Sequence, residues 1–208
     1  MKKTLLALSF GIIAAANSSA SVINYENRAT NSGVNKNDYQ SSWNNQSTSI
    51  YSTEISSFDR LRANGSNRNQ HSHLSLSFDV SANNSGKNWW FQFAPDAGFG
   101  GELYFDGNLV ERNNDNLWWG YRWNRGSELI GAFISDLDSG THTLDLFWAE
   151  NCCNGGQSGR FSADNGNVWI ALSTENLDAV GVPEPGTIGL MALGVAGLVL
   201  SRRRIKQQ

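Results

Sequence analysis

"HLSLSFDV", residues 73–80, decides the fold. Leu74, Leu76, Phe78 and Val80 alternate with Ser75, Ser77 and Asp79, the period of two that gives a strand one apolar and one polar face. Such a face needs a second layer to cover it. The pattern recurs downstream. "NWWFQFA" (88–94) sets Trp89, Phe91 and Phe93 on one side, and "GELYFDGNLV" (101–110) passes through Asp106-Gly107, a hairpin-type turn. "NLWWGYRW" (116–123) aligns Leu117, Trp119, Tyr121 and Trp123, with Trp118 and Arg122 opposite. "ELIGAFISDL" and "THTLDLFWAE" flank Asp138-Ser139-Gly140, and "GRFSA" and "NVWIALST" close the series with Val168, Ile170 and Leu172 in phase. Short strands divided by Gly, Asn and Asp turns predict an all-β fold, an antiparallel β-sandwich or jelly roll, over residues 73–180. Trp90, Trp118 and Trp169 fall out of phase and belong on outer faces, either as a ligand platform or covered by the polar N-terminal segment.

Composition agrees with this reading. Eight Trp and ten Phe accompany only 17% charged residues, and long amphipathic helical patterns are absent between the two ends. Residues 21–72 are rich in Asn, Ser, Thr and Gln, with isolated Tyr39, Trp43, Ile50, Tyr51, Ile55 and Phe58. Their spacing predicts one or two edge strands joined by long loops. Residues 21–182 carry 10 Lys and Arg against 18 Asp and Glu, a net charge of −8. That sign repels phosphate backbones and argues against nucleic acid as a partner. It suits neutral glycans or bound cations such as Ca²⁺.

The ends give an address. Lys2 and Lys3 precede an apolar run from Leu5 to Ala16 and a small-residue exit at Ser18-Ser19-Ala20, the pattern of a secretory signal peptide over residues 1–20. The run is well short of the roughly 20 residues that span a bilayer. At the other end Val182-Pro183-Glu184-Pro185 leads into an uncharged apolar segment from Thr187 to Leu200 and then Arg202, Arg203 and Arg204. This reads as a short transmembrane helix stopped by a cytoplasmic basic cluster. In that order and polarity, residues 182–208 resemble the bacterial PEP-CTERM sorting signal. The resemblance implies an exosortase partner, transient anchoring in the inner membrane, and a final location at the cell surface or in the extracellular matrix of a Gram-negative bacterium.

Catalytic patterns are not evident. His71, His73 and His142 stand outside any zinc or nucleophile motif and read as surface histidines. No carboxylate pair is marked by its spacing, so no hydrolase is predicted. The stretch "FAPDAGFGGELYFDGNLV" combines a loop holding Asp96, bare glycines and a turn holding Asp106, and "LDSGTHTLDLFWAENCCNGG" is a strand between Gly-rich loops. Across residues 88–173 these resemble the protective-antigen-type sugar-binding β-sandwich. That likeness implies a carbohydrate site in the loops and a Ca²⁺ ion held by adjacent aspartates, although Ala97 follows Asp96 here. Cys152-Cys153-Asn154-Gly155, with "PDAGFGG" and "LWWG", is also similar to the CCXG family of PEP-CTERM proteins.

Cys152 and Cys153 are the only cysteines. An oxidising location favours a disulfide, yet adjacent Cα atoms lie about 3.8 Å apart, closer than in ordinary bridges at about 4.4–6.8 Å. Three states remain open: a strained vicinal disulfide, pairing to another molecule, or two thiols. A vicinal ring would stiffen its turn and present a flat sulfur surface to a sugar, with Glu150, Asn151 and Asn154 as hydrogen-bonding neighbours. The expected site is therefore one loop end holding Asp96, Asp106, Trp118, Glu150, Asn151, Cys152, Cys153 and Asn154, with extracellular polysaccharide as ligand. The alternative is a structural protein of the biofilm matrix or envelope that uses exposed Trp and intermolecular disulfides.

Overall fold

The computed structural model describes residues 20–62, 69–153 and 155–181. The expected signal peptide, up to residue 19, and the sorting signal with Val182, Pro183, Glu184, Pro185, Arg202, Arg203 and Arg204 lie outside them, as does the apolar segment read as a transmembrane helix. Among the described residues no helix is long and apolar enough to cross a membrane.

The protein is an antiparallel β-sandwich. Among the described residues twelve strands occur in chain order: β1 (Val22–Ala29), β2 (Ser49–Glu54), β3 (Gln70–Val80), β4 (Lys87–Ala94), β5 (Asp96–Ala97), β6 (Gly100–Phe105), β7 (Asn108–Asn113), β8 (Leu117–Trp118), β9 (Ile130–Leu137), β10 (Gly140–Glu150), β11 (Ser158–Ser162) and β12 (Ile170–Ala171). A short helix α1 (Tyr39–Asn44) precedes β2, and α2 (Thr174–Gly181) ends the domain. One sheet has the order β2-β1-β3-β10-β6-β7 and the facing sheet β12-β11-β4-β9, while β5 and β8 pair separately.

The alternation seen in the sequence sets the two inner faces. From the larger sheet Leu74, Leu76, Phe78, Val80, Leu144, Leu146, Trp148, Leu103 and Phe105 point inward, and from the smaller sheet Trp89, Phe91, Phe93, Ile130, Ala132 and Phe161 meet them in one core. Trp89 stacks on Phe161 with ring centres 5.8 Å apart. The Asp106-Gly107 turn between β6 and β7 has positive φ at both residues, 46° and 75°, matching the twist of a two-residue hairpin.

Three local expectations change. The N-terminal segment contributes more than an edge, because β1 lies inside the larger sheet, paired to both β2 and β3, with Ile23 and Tyr25 in the core. The segment "NLWWGYRW" forms a strand only at Leu117–Trp118. Gly120 and Tyr121 then take left-handed backbone at φ 58° and 59°, which ends the alternation and leaves Tyr121 exposed, while Leu117 and Trp119 before it are buried as their phase requires. "NVWIALST" likewise forms a strand only at Ile170–Ala171, with an isolated bridge from Ser173 to Ser57, and Val168 is exposed.

The histidines are not simply on the surface. His71 is fully buried on β3, and burial pushes its imidazole down to about 4, so it is neutral at physiological pH. His73 stacks on Phe147 at 4.2 Å and contacts Asp145 at 2.8 Å. Helix α1 closes over this pair. Asp38 caps it by accepting from the Ser41 N–H at 2.8 Å, and Tyr39 and Trp43 pack with Phe147. The polar N-terminal segment thus covers Phe147 rather than the out-of-phase tryptophans.

Phe91 sits at 0% exposure in the middle of the sandwich. Phe91→Ala is expected to cost about 3–5 kcal/mol in urea unfolding, whereas Leu109→Ala, on the exposed edge strand β7, should stay within about 0.5 kcal/mol.

Candidate functional site

The full-length pairing of β10 with β3 carries the chain to Glu150, where the cysteine loop begins. Glu150 is buried. Its Oε1 accepts from the N–H groups of Asn151 and Cys152, both at 2.7 Å, and its Oε2 accepts from the Gly98 N–H at 2.7 Å. The expected sugar contact is therefore a brace: this carboxylate points into the loop backbone, where N–H donors would otherwise be orphaned.

Asp96 is the second brace. Its Oδ2 accepts from the Gly155 N–H, and the antiparallel pair β5/β8 sets it opposite Trp118. Burial raises its carboxyl from 3.8 to about 6, opposed by the Gly155 N–H and reinforced by the neighbouring Glu150 carboxylate. Both carboxylates thus spend oxygens on backbone donors, and a Ca²⁺ ion, which takes 6–8 oxygen ligands, is poorly matched to them. Among the described residues no three His, Cys, Asp or Glu side chains converge as a metal site.

Cys152 and Cys153 form a vicinal disulfide across Cα atoms 3.8 Å apart, and Cys153 takes the left-handed φ of 70°, a conformation that costs a non-glycine residue about 1–2 kcal/mol. Asn151, Cys152 and Cys153 are exposed. Asn154 lies outside the described residues. Beyond it the loop is pinned again: Trp119 Nε1 donates to the Gly156 carbonyl at 2.8 Å, and the Gly156 N–H donates to the Tyr121 hydroxyl at 3.2 Å. The Trp118 ring lies so close to Gly155 that a Cβ there would overlap it. Trp118 is 37% exposed, its ring stands edge-on to Tyr121 at 5.4 Å, and its backbone N–H donates to Glu128 Oε2 at 2.8 Å.

The structure therefore brings Asp96, Trp118, Glu150, Asn151, Cys152 and Cys153 to one end of the sandwich. Asp106 is not among them. It occupies the β6/β7 turn beside the start of β10, where it accepts from the Thr143 N–H at 2.8 Å and contacts His142 Nδ1 at 2.8 Å. Seven residue steps along β10 separate Thr143 from Glu150, about 23 Å at roughly 3.3 Å each. A "DG" turn and a Gly-rich loop can share a strand pair and still sit at its opposite ends.

The residues that sequence reading missed lie on the outer face of the smaller sheet. Asp59, Arg60, Tyr121, Trp123, Arg160 and Trp169 line an open cleft of about 520 Å³. Only Trp169, out of phase in its segment, signalled an outward aromatic. Trp123 reaches the cleft through a turn that its alternation did not announce.

Comparison with known proteins gives two independent results. Residues 181–204 match the PEP-CTERM protein-sorting motif. The motif marks the chain as an exosortase-sorted surface protein. No curated protein matches the sequence. Among solved structures the fold is similar to the PA14 domain of MpAFP antifreeze protein, at TM-score 0.54 and 15% identity over 80% of this chain and 94% of that one. It is also similar to the PA14 sugar-binding domain from an RTX adhesin, at TM-score 0.50 and 9% identity over 76% and 97%. A third is the Epithelial Adhesin 6 A domain from Candida glabrata, solved with Galb1-3GlcNAc, at TM-score 0.51 and 9% identity over 78% and 88%. The protective-antigen-type β-sandwich that the sequence resembled is thus the fold observed.

The pH dependence of this loop end follows from Asp96. Its folded pKa exceeds its unfolded one, so the native state binds more protons between about pH 4 and 6, and the contribution to stability is full below about 4 and lost as pH rises through 6. In thermal melts across that window, Asp96→Asn is expected to remove this part of the pH dependence.

Proposed function

We propose that the mature domain is a non-enzymatic carbohydrate-binding module whose ligand is extracellular polysaccharide, held at the loop end formed by Trp118, Asn151 and the Cys152–Cys153 ring. One observation carries this reading: an exposed indole packs its six-membered ring against Gly155 of a loop whose backbone is fixed by two buried carboxylates, a tyrosine hydroxyl and a tryptophan N–H. Large aromatic surfaces held rigid at a loop end bind with little ordering cost, and the braces leave their polar atoms engaged rather than mobile. Sugar-binding domains and a disaccharide-bound adhesin among the similar folds support the same choice. An envelope or biofilm-matrix role built on intermolecular disulfides has less support, because Cys152 pairs with Cys153 and no described cysteine is free.

Affinity electrophoresis against the producing cell's own polysaccharide tests the site. Trp118→Ala should weaken binding about tenfold or more, as loss of a central aromatic anchor does. The double substitution Cys152→Ser/Cys153→Ser should weaken it less, through a looser turn. Unchanged retardation of both variants would remove the loop end from the binding surface.

A further inference from the structure

The cleft on the outer face of the smaller sheet is built around one arginine. Arg160, on β11, lies between two indoles, its guanidinium carbon 4.4 Å from the Trp123 ring centre and 4.3 Å from that of Trp169. Its Nε and Nη2 donate to Gln92 Oε1 on the adjacent strand, at 2.9 and 2.6 Å. Among the described residues Nη1 has no acceptor and Arg160 makes no ion pair. A guanidinium clamped on both sides and along one edge is pre-oriented, with a free fork matched to a planar carboxylate.

The surroundings strengthen the same charge. Residues 21–182 hold ten basic residues in a domain of net charge −8. Three of them line it or the adjoining hollow, Arg160 itself, Arg60 with its guanidinium 5.6 Å from the Tyr121 ring centre, and Arg62, and two more, Arg122 and Arg125, belong to the turn that delivers Tyr121 and Trp123. Among the described residues none of these five forms an ion pair, whereas Arg28 and Arg112 each meet a glutamate. Asp59, the acidic side chain lining the cleft, accepts from the Ser158 hydroxyl at 2.9 Å. A structural role for Arg160 would be satisfied by a carboxylate partner, yet the fold supplies a neutral glutamine and leaves the charge outward.

We propose that this cleft is a second glycan site, selective for a polysaccharide segment bearing carboxylates, in which Arg160 pairs with the carboxylate while Trp123, Trp169 and Tyr121 flank the sugar rings. It rests on the carbohydrate-binding reading above but uses different residues from the loop-end platform. The volume of about 520 Å³ falls within the range of about 300–1,000 Å³ of small-ligand sites, and the cleft is open along the sheet, as a chain passing through requires. Tyr121 belongs to both places. It stands against Trp118 and Trp119 at 5.4 Å each and lines the cleft, so a single chain can run from one site to the other.

The test uses the full-length chain in detergent micelles, with polygalacturonate and its carboxyl-reduced derivative as probes in affinity electrophoresis. Polygalacturonate should retard the protein, the reduced polymer should do so at least about tenfold more weakly, and rising NaCl should weaken the first far more than the second. Arg160→Gln should lose about tenfold or more toward polygalacturonate while keeping the part of its binding to the cell's own polysaccharide that Trp118→Ala removes. Arg160→Lys should recover only part of it, because an ammonium cannot reproduce the planar fork. A circular-dichroism melt like that of the parent confirms that each variant is folded. Equal binding of both probes, or full polygalacturonate binding by Arg160→Gln, overturns the second site and leaves the loop-end reading standing. Absence of polygalacturonate binding by the parent also overturns it. If Trp118→Ala instead abolishes all binding while Arg160→Gln changes none, the loop end is the whole of the carbohydrate surface.

Discussion

Eleven consecutive residue pairs join Gln70–Val80 to Gly140–Glu150, and most of the molecule hangs on that ladder. Its register aligns Leu74, Leu76 and Phe78 with Leu146, Leu144 and His142, so the inner faces of two central strands are fixed together. A slip of one residue would turn each of these side chains to the opposite face. The same register decides where β10 ends. Glu150 reaches the rim of the sandwich facing inward, and the three N–H groups of the loops beside it close on its carboxylate.

The loop end is rigid for reasons unrelated to chain entropy. A disulfide between neighbours closes too small a loop to restrict the unfolded chain much. Its effect is local, joined to Glu150 on one side and to Asp96, Trp119 and Tyr121 on the other. Those four groups come from three separate stretches of sequence, brought together by the β5/β8 pair and the turn after it. Strand alternation leaves the Trp118 indole open and buries that of Trp119, and the turn at Gly120 and Tyr121 then brings the Tyr121 hydroxyl to the same glycine, Gly156, that Trp119 holds.

The sandwich was legible because period-2 alternation is a strong local signal where one face is buried; residues 74–80 carry it without interruption, and 89–93 and 144–148 carry it with one aromatic each, Trp90 and Phe147, on the opposite face. It faded where burial is not set by alternation. In β1, Asn27 follows Ile23 and Tyr25 on the inner face, so the strand reads as polar. In "NLWWGYRW" the alternation is intact, but two residues with positive φ override it. The site was half legible for a similar reason. Residues adjacent in sequence, such as Glu150 to Cys153, stayed adjacent in space, while Asp106 was misplaced because a hairpin of six-residue strands carries its turn far from its start. The roles of Asp96 and Glu150 were hidden too, since a carboxylate that binds a sugar and one that holds a loop look identical until its donors are known.

Charge distribution adds a constraint that composition alone conceals. A domain of net charge −8 should repel an acidic polymer at long range, and at physiological salt that repulsion decays over about 8 Å. Within that distance local charge dominates. Five of ten basic residues lie around Tyr121 and Trp123, and the one at the centre is bonded to a glutamine instead of a carboxylate. Asp59, the acidic side chain of the cleft, accepts from Ser158 rather than pairing with Arg160, so the guanidinium stays uncompensated. Neutral and charged segments of one glycan would then meet different chemistries on the same domain: stacking on Trp118 at the loop end, and pairing to Arg160 on the sheet.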